Sequence, residues 1–599
     1  QPRPGENGPV MRMNVQMMPL GRDDNQTVRL EVREGEQWKD KGLAKIVTPG
    51  HIAVFTCGDW DLSRDWPYRV VYELKQAGGT ARTCTWEGTV RRDPVDQETI
   101  VVAGFTGNHN SVSGVERPNF PWAWGVWFPH ADITSAIARH KADLLFFSGD
   151  QVYEGASPTR PEPHELDYLY KWYLWCWAYR DLTREIPCVI EPDDHDVYQG
   201  NLWGQGGRKT AKDDKGGYVY DAEFVKTVER TQSAHHIPYD PTPVEQGIGV
   251  YYGAFTWGRI GVAVIEDRKF KSGCNGLVPP TDTKRADHVQ DPNFDPKRAD
   301  VPGAELLGKR QEEFLADWAG DWKAQDMKLM VSQTTLAGMA THHGGGLQRL
   351  RIDYDSNGWP QSGRARALRE LRKGFAFHLC GDQHLASIVH QGLEDWNDSI
   401  YSFCVPSVAN FYPRMWKPDV PGKNRNGLPE HLGEHLDGLG NKVTVYAVTN
   451  PDHKTGHEPA ALHDRMPGYG IVRFNRRLRT ITIECWPRCA DPGDPAAKQY
   501  PGWPKVIRQE DNYARKPAGH LATLKLPPVA RAADNPAVKV IDEKTGELIS
   551  AIRPAARTYR PKVFDADKTY TVRLVWDDGK TWQKTGLKAA GEGETIEVK

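Results

Sequence analysis

The chain has 599 residues, 39% hydrophobic and 26% charged, with 77 basic and 79 acidic side chains and a formal net charge of −2. Those values describe a globular chain of several domains and exclude a disordered or fibrous one. The even charge balance argues against a nucleic-acid-binding patch, and no apolar run approaches the ~18 residues of a membrane span.

Residues 1–97 carry the short runs TVRLEV (27–32), HIAVFTC (51–57) and YRVVYEL (68–74), separated by turn residues with no helical stripe. They predict an N-terminal β-sandwich of immunoglobulin or fibronectin type. From residue 98 apolar runs alternate with helical segments. ETIVVAGF (98–105), DLLFFSGD (143–150), IPCVIEPDDHD (186–196), RIGVAVIEDR (259–268), MKLMVSQT (327–334) and FAFHLCGDQH (375–384) read as strands. GKRQEEFLADWAGDWKAQ (308–325) and RARALRELRKG (364–374) read as helices. Strands that end in polar residues and alternate with helices predict an α/β layered domain over 98–490.

Two Pro/Asp/Gly-rich insertions, 272–304 and 412–467, are too long for simple connections and are expected to shape a cleft. YGIVRFNRRLRTITIEC (469–485) predicts a hairpin that closes the domain. Residues 491–535 read as a Pro-rich linker. Residues 536–599 alternate around DG and TG turns and predict a small C-terminal β-rich module. The nine cysteines form no CxxC pair; Cys57 and Cys84 are the candidate disulfide, and Cys380 and Cys404 read as buried small hydrophobes. The chain starts at Gln1, as a mature exported chain would, so a secreted, periplasmic or cell-surface location is expected.

In an open α/β sheet the functional site lies at the carboxyl ends of the strands. Asp150, Gln151 and Tyr153 follow one strand there, and Asp193, Asp194, His195 and Asp196 follow another. Asp382 and His384 follow a third, and Asn108, His109 and Asn110 a fourth. Each motif alone fits a turn or a helix cap; the joint arrangement is what points to chemistry. Carboxylates gathered in one crevice repel unless a cation neutralises them. Two metal ions are the simplest resolution, with a carboxylate such as Asp150 able to bridge them. Oxygen and nitrogen donors suit Mn, Fe, Zn, Mg or Ca. Such a pair can hold a hydroxide nucleophile and a phosphoryl oxygen for in-line displacement.

The segments FFSGDQVYEG (146–155), PDDHDVYQGNLWG (192–204), VIEDRKFKS (264–272), VSQTTLAG (331–338) and LCGDQHLAS (379–387) resemble the PhoD-like (alkaline phosphatase D) family of calcineurin-like metallophosphoesterases. The resemblance implies a four-layer αββα sandwich behind an N-terminal β-sandwich. It implies a binuclear phosphoesterase, of phosphodiesterase or alkaline phosphatase type, with a metal-bound hydroxide as nucleophile. Asp150 would bridge the two ions, Tyr153 would bind the first as a phenolate, and His384 would complete that site. Asp194 and Asp382 would bind the second ion. His195 would contact the phosphate and protonate the leaving oxygen, its acidity set by Asp196 or Asp194. Asn201 and Gln333 would be second-site ligands or orienting groups near substrate, and Arg268 a substrate contact or a structural ion pair.

One position departs from the family. Where the family shows a Ser-Cys pair whose thiolate binds iron, this chain has GFTGNHN, with Asn108 at the cysteine position as candidate ligand and His109 beside it as candidate substrate contact. That lowers the preference for the family's iron and calcium pair and favours two divalent ions such as Mn, Zn, Mg or Ca.

Trp124, in the loop PNFPWAWGVWF (118–128), is a candidate stacking platform for a sugar or base, and His342 and His343 are expected at the same entrance. Trp172 and Trp175 fall on one helical face and read as core. These features favour a phosphodiester or a phosphorylated glycan- or nucleotide-linked substrate. Two alternatives stand beside this reading: a non-catalytic or glycan-binding surface protein on the same fold, and a bimetal hydrolase of another ester such as a sulfate.

Overall fold

In the computed structural model the described residues are 8–109, 128–154, 164–410, 412–458 and 460–598. At the N-terminus, strands Gln37–Lys45, Thr27–Glu34, Trp66–Lys75 and Ala81–Val90 lie in that order in one antiparallel sheet. Met11–Gln16 pairs with Ile52–Cys57 in a second. Leu30, Val32, Phe55, Trp60, Trp66 and Tyr72 make their common core. Strands Gln37–Lys45 and Ala81–Val90 carry mostly exposed side chains, so no apolar alternation marks them in the sequence. Cys57 and Cys84 sit on different sheets and both are free thiols, which corrects the expected disulfide; all nine cysteines are free.

Two larger sheets follow. The six-stranded sheet runs Lys505–Arg508, Thr480–Pro487, Gly468–Asn475, Thr99–Phe105, Leu144–Phe147, Cys188–Ile190, with the last three strands parallel. The eight-stranded sheet runs Gly253–Trp257, Ile260–Val264, Met327–Thr334, Phe377–Gly381, Tyr401–Cys404, Ser387–Gln391, Lys442–Val448, Gly433–Leu436, with the second to fifth strands parallel. Successive strand side chains point to opposite faces, so a strand buried on both sides reads as a continuous apolar run. In Thr99–Phe105, Ile100 and Val102 join Leu329, Leu379 and Phe403 of the other sheet in a shared core. Val101, Ala103 and Phe105 face the opposite way, onto helices α1 (Ala131–His140), α2 (Glu165–Thr183) and α3 (Ala222–Gln232). The outer face of the eight-stranded sheet, through Ala263 and Met330, packs on α4 (Gly308–Gly320) and α5 (Gln361–Lys373).

Trp172 and Trp175 of α2 stack at 4.6 Å, and Trp175 meets Phe147 edge-on at 4.9 Å. Both indoles therefore belong to the core under the sheet.

One insertion also builds sheet, and one expectation about a connection is corrected. The insertion 412–467 supplies strands Gly433–Leu436 and Lys442–Val448 to the eight-stranded sheet. The segment 491–535 is no free linker: Lys505–Arg508 pairs with Thr480–Ile483, and Gly519–His520 and Thr523–Lys525 pair with strands of the C-terminal module. These strands are two to four residues long and sit among prolines, too short to show a period of their own. Among the described residues no helix is long and apolar enough to cross a membrane.

His378, fully buried in the central strand Phe377–Gly381, lies 2.9 Å from both Ser332 Oγ and Ser402 Oγ. Burial pushes its imidazole down to about 3. The unfolded chain binds a proton near pH ~6.5 that the folded chain refuses, so stability is lost as pH falls below that value, at up to ~1.4 kcal/mol per pH unit. His378→Gln is expected to flatten the fall in urea midpoint between pH 7 and 5. Equal slopes for the two proteins would contradict this account.

Candidate metal centre

The two parallel strand sets end at one seam. Leu144–Phe147 runs into Asp150, Cys188–Ile190 into Asp193, Asp194 and His195, and Thr99–Phe105 into Asn108. From the other sheet, Phe377–Gly381 runs into Asp382 and His384. The turns are tight. Gly149 has φ +123°, and a Cβ there would lie 2.3 Å from Asp193 Cβ, so only glycine fits. Asp150, Asp382 and His384 themselves adopt left-handed backbone, with φ of 59°, 63° and 53°. Such residues persist only where their surroundings hold them. Here the Asp150 N–H donates to Asp196 Oδ2 at 2.8 Å and the Asp382 N–H to Thr106 Oγ1 at 2.9 Å.

The Tyr153 hydroxyl donates to Asp150 Oδ2 at 2.7 Å, and His384 Nε2 stands 3.3 Å from that hydroxyl and 3.8 Å from the carboxylate. His384 Nδ1 lies 3.2 Å from the Tyr412 carbonyl, a partner that can only accept. The proton is thereby assigned to Nδ1, leaving the Nε2 lone pair towards Tyr153 and Asp150. His195 Nδ1 meets the Glu154 carboxylate at 2.8 Å, and its ring lies 4.5 Å from that of Tyr153. Ligand atoms of Asp150, Asp194 and His195 lie within 4.8 Å of one another, as do those of Asp193, Asp194 and Asp382.

Three buried carboxylates thus share one guanidinium. Arg268, 1% exposed, reaches Asp193 at 2.8 Å, Asp355 at 2.6 Å and Asp382 at 2.9 Å. Burial, reinforced by the neighbouring carboxylates against Arg268, raises Asp193 and Asp194 well above the usual range. Burial alone would lower His195, but Asp194, Asp150 and Glu154 raise it well above its ordinary value. Asp150 is held low against burial by His195, His384 and the Tyr153 hydroxyl, yet its Oδ1 is buried without a hydrogen bond. An orphaned carboxylate oxygen beside imidazole, phenol and further carboxylates is a donor set that fits hard to borderline cations.

Asp196 lies behind the turns. Its carboxylate accepts from the N–H groups of Asp150, Val152 and Asp193 and from the Gln232 amide. Burial pushes it up to about 7 against those four donors. The Asn108 carboxamide oxygen accepts from the Tyr179 hydroxyl, and the Asn108 backbone N–H donates to the Asp150 carbonyl at 2.9 Å. The His109 ring packs 4.6 Å from that of Tyr153, and burial with the charge of His195 pushes it down to about 3. Gln333 donates to the Pro192 carbonyl and the Tyr251 hydroxyl, and Asn201 donates to Asp287. Trp124 lies outside the described residues. Glu154, Asp355 and Tyr179 escaped sequence reading. Glu154 directly follows GDQVY without forming a motif with it, and Asp355 reaches Arg268 from 87 residues away.

Residues 121–414 match the family model described as PhoD-like phosphatase. Among solved structures, the chain is similar to that described as the structure of PhoD, at 15% identity, 85% coverage of this chain and 90% of that one, and a TM-score of 0.53. It also aligns with purple acid phosphatase PPD1 from yellow lupin (Lupinus luteus) seeds, at 12% identity, 85% and 74% coverage and a TM-score of 0.46. No curated protein matches the chain.

Asp196→Ala would strand three backbone N–H groups, those of Asp150, Val152 and Asp193, each buried unsatisfied donor costing ~1–3 kcal/mol. The expected result is a loss of at least ~2 kcal/mol in denaturant unfolding, together with reduced metal uptake. Unchanged stability would show that the turns hold without it.

Proposed function

Taking the PhoD-like match over residues 121–414 as premise, we propose that the protein is a binuclear metal-dependent phosphoesterase acting on phosphate monoesters or diesters. The observation that carries this is the convergence of two overlapping donor clusters, sharing Asp194, at the seam of two sheets. The reading includes a four-layer αββα sandwich, supported by the helices packed on the outer face of each sheet.

Asp150, Tyr153 and His384 would hold one ion; Asp194 and Asp382, with Asp150 shared, would hold the other. When bound, the pair supplies Lewis-acid charge at the phosphoryl oxygens and an acidified water as nucleophile. Glu154 fixes the His195 ring through Nδ1, which leaves Nε2 to carry a proton to the leaving oxygen. The nearby carboxylates favour the protonated form needed for that task. Arg268 spends its hydrogen bonds inside the protein and keeps Asp193 and Asp382 in place as their like-charged neighbours gather. With an amide at Asn108 where a thiolate would favour ferric iron, the donors suit a divalent pair.

The test is hydrolysis of p-nitrophenyl phosphate and bis-p-nitrophenyl phosphate after chelation and resupply of Mn, Fe, Zn, Mg or Ca, with p-nitrophenyl sulfate in parallel. Activity is expected on the phosphates only, lost with the metal and restored by it. His195→Ala is expected to lower kcat by ~100-fold or more while metal content stays. Absence of bound metal and of cleavage with every ion would overturn the reading; cleavage of the sulfate alone would move it to another ester.

A further inference from the structure

A second cluster lies outside that centre. The strand His288–Val289, in the insertion after residue 272, pairs antiparallel with Ile352–Asp353, and His288 is directly opposite Asp353. Cross-strand partners project to the same face, which brings imidazole and carboxylate together. Asp287 closes the group: ligand atoms of Asp287, His288 and Asp353 lie within 4.8 Å of one another, and all three residues are at most 4% exposed. The His343 ring packs on His288, with ring centres 4.3 Å apart.

Two atoms here lack hydrogen bonds. Asp353 Oδ1 accepts from the Asp355 N–H, but Oδ2 is buried and accepts none. The Arg414 guanidinium stays 3.7 Å away. His343 Nδ1 is engaged by the Tyr412 hydroxyl, and its Nε2 is buried and unbonded. A buried carboxylate oxygen without a hydrogen bond inside the cluster, and a buried nitrogen without one on the ring packed against His288, are costly unless something satisfies them. Arg285 forks onto Asp287 at 2.6 and 3.1 Å, and Asn201 donates to it at 2.9 Å. These contacts set the carboxylate's direction, as outer partners do around metal ligands.

We propose that Asp287, His288 and Asp353, with His343 as fourth donor, form a second metal site for a zinc-like divalent ion. Two imidazoles and two carboxylates suit such an ion in tetrahedral coordination. No donor is shared with the phosphoesterase centre, so the site stands whether or not that reading does. It fastens the segment around His288 to the strands Ile352–Asp353 and His342–His343. Through Arg414, 3.7 Å from Asp353 and Asp355, it adjoins the Arg268 network.

The experiment uses the full chain carrying Asp150→Asn and Asp382→Asn to disable the candidate centre. After chelation it is resupplied with Zn²⁺ or Co²⁺, and bound equivalents are counted by mass spectrometry. One equivalent is expected to remain, with the visible absorption of tetrahedral Co²⁺, and it is expected to vanish on adding His288→Ala or His343→Gln. Zn²⁺ should raise the melting temperature of the parent but not of those variants. Circular dichroism identifies any variant that fails to fold, and Asp353→Asn then replaces it. Retention of the same equivalents and spectrum in folded variants would overturn the proposal, as would absence of any bound equivalent in the parent.

Discussion

Asp150, Asp193, Asp194 and Asp382 are withdrawn from water at the seam of two sheets, with the single guanidinium of Arg268 among them. Coulomb repulsion between such groups grows as the dielectric falls, so their burial is the constraint on which the other features of the site depend. Rigid strands buried on both faces supply the position, and tight turns supply the direction. Three of the residues at the turns, Asp150, Asp382 and His384, pay for that direction with left-handed backbone. Asp196 holds the turns by spending its whole carboxylate on N–H donors, which removes it from the reacting groups and makes it their support. Asp196, the carboxylate that organises, and Asp150, the carboxylate with an orphaned oxygen, lie 46 residues apart in sequence and do opposite work on the same turns.

Charge at the seam is carried outward by alternating signs. Arg268 bridges Asp193, Asp382 and Asp355; Arg414 stands beyond, near Asp355 and Asp353. Each arginine opposes the upward push that burial gives the carboxylates it faces, and each is stabilised in turn. The insertion that carries Asp287 and His288 meets this chain at its far end. The loops around the seam are therefore anchored by electrostatics as well as by packing.

Local signals were legible in the sequence. Runs such as LLFF, IGVAV and MKLMVSQT are continuous because both their faces are buried, and the polar residues that follow them are the ones the turns present at the seam. Pairings that depend on distant segments were not legible. Glu154 on His195, Asp355 on Arg268 and His288 opposite Asp353 are set by tertiary register across tens of residues. Short strands such as Lys505–Arg508 gain their identity only from the neighbour they pair with. The aromatic segment of α2 was legible as core because its spacing matched one helical face.

Asn108 combines a structural tie with a neutral side chain. Its backbone N–H ties the first strand to the Asp150 turn, and its amide oxygen is anchored by Tyr179 of α2. A thiolate at this position would add a fifth negative group to a crevice already short of positive charge. The neutral amide leaves Asp150, Tyr153 and His384 as the donors of the first ion under the proposed function. Oxygen and imidazole donors without sulfur bind a divalent cation with less preference for ferric iron. Asn108 therefore shapes the proposed centre through its neutrality, while its backbone holds the turn that positions Asp150.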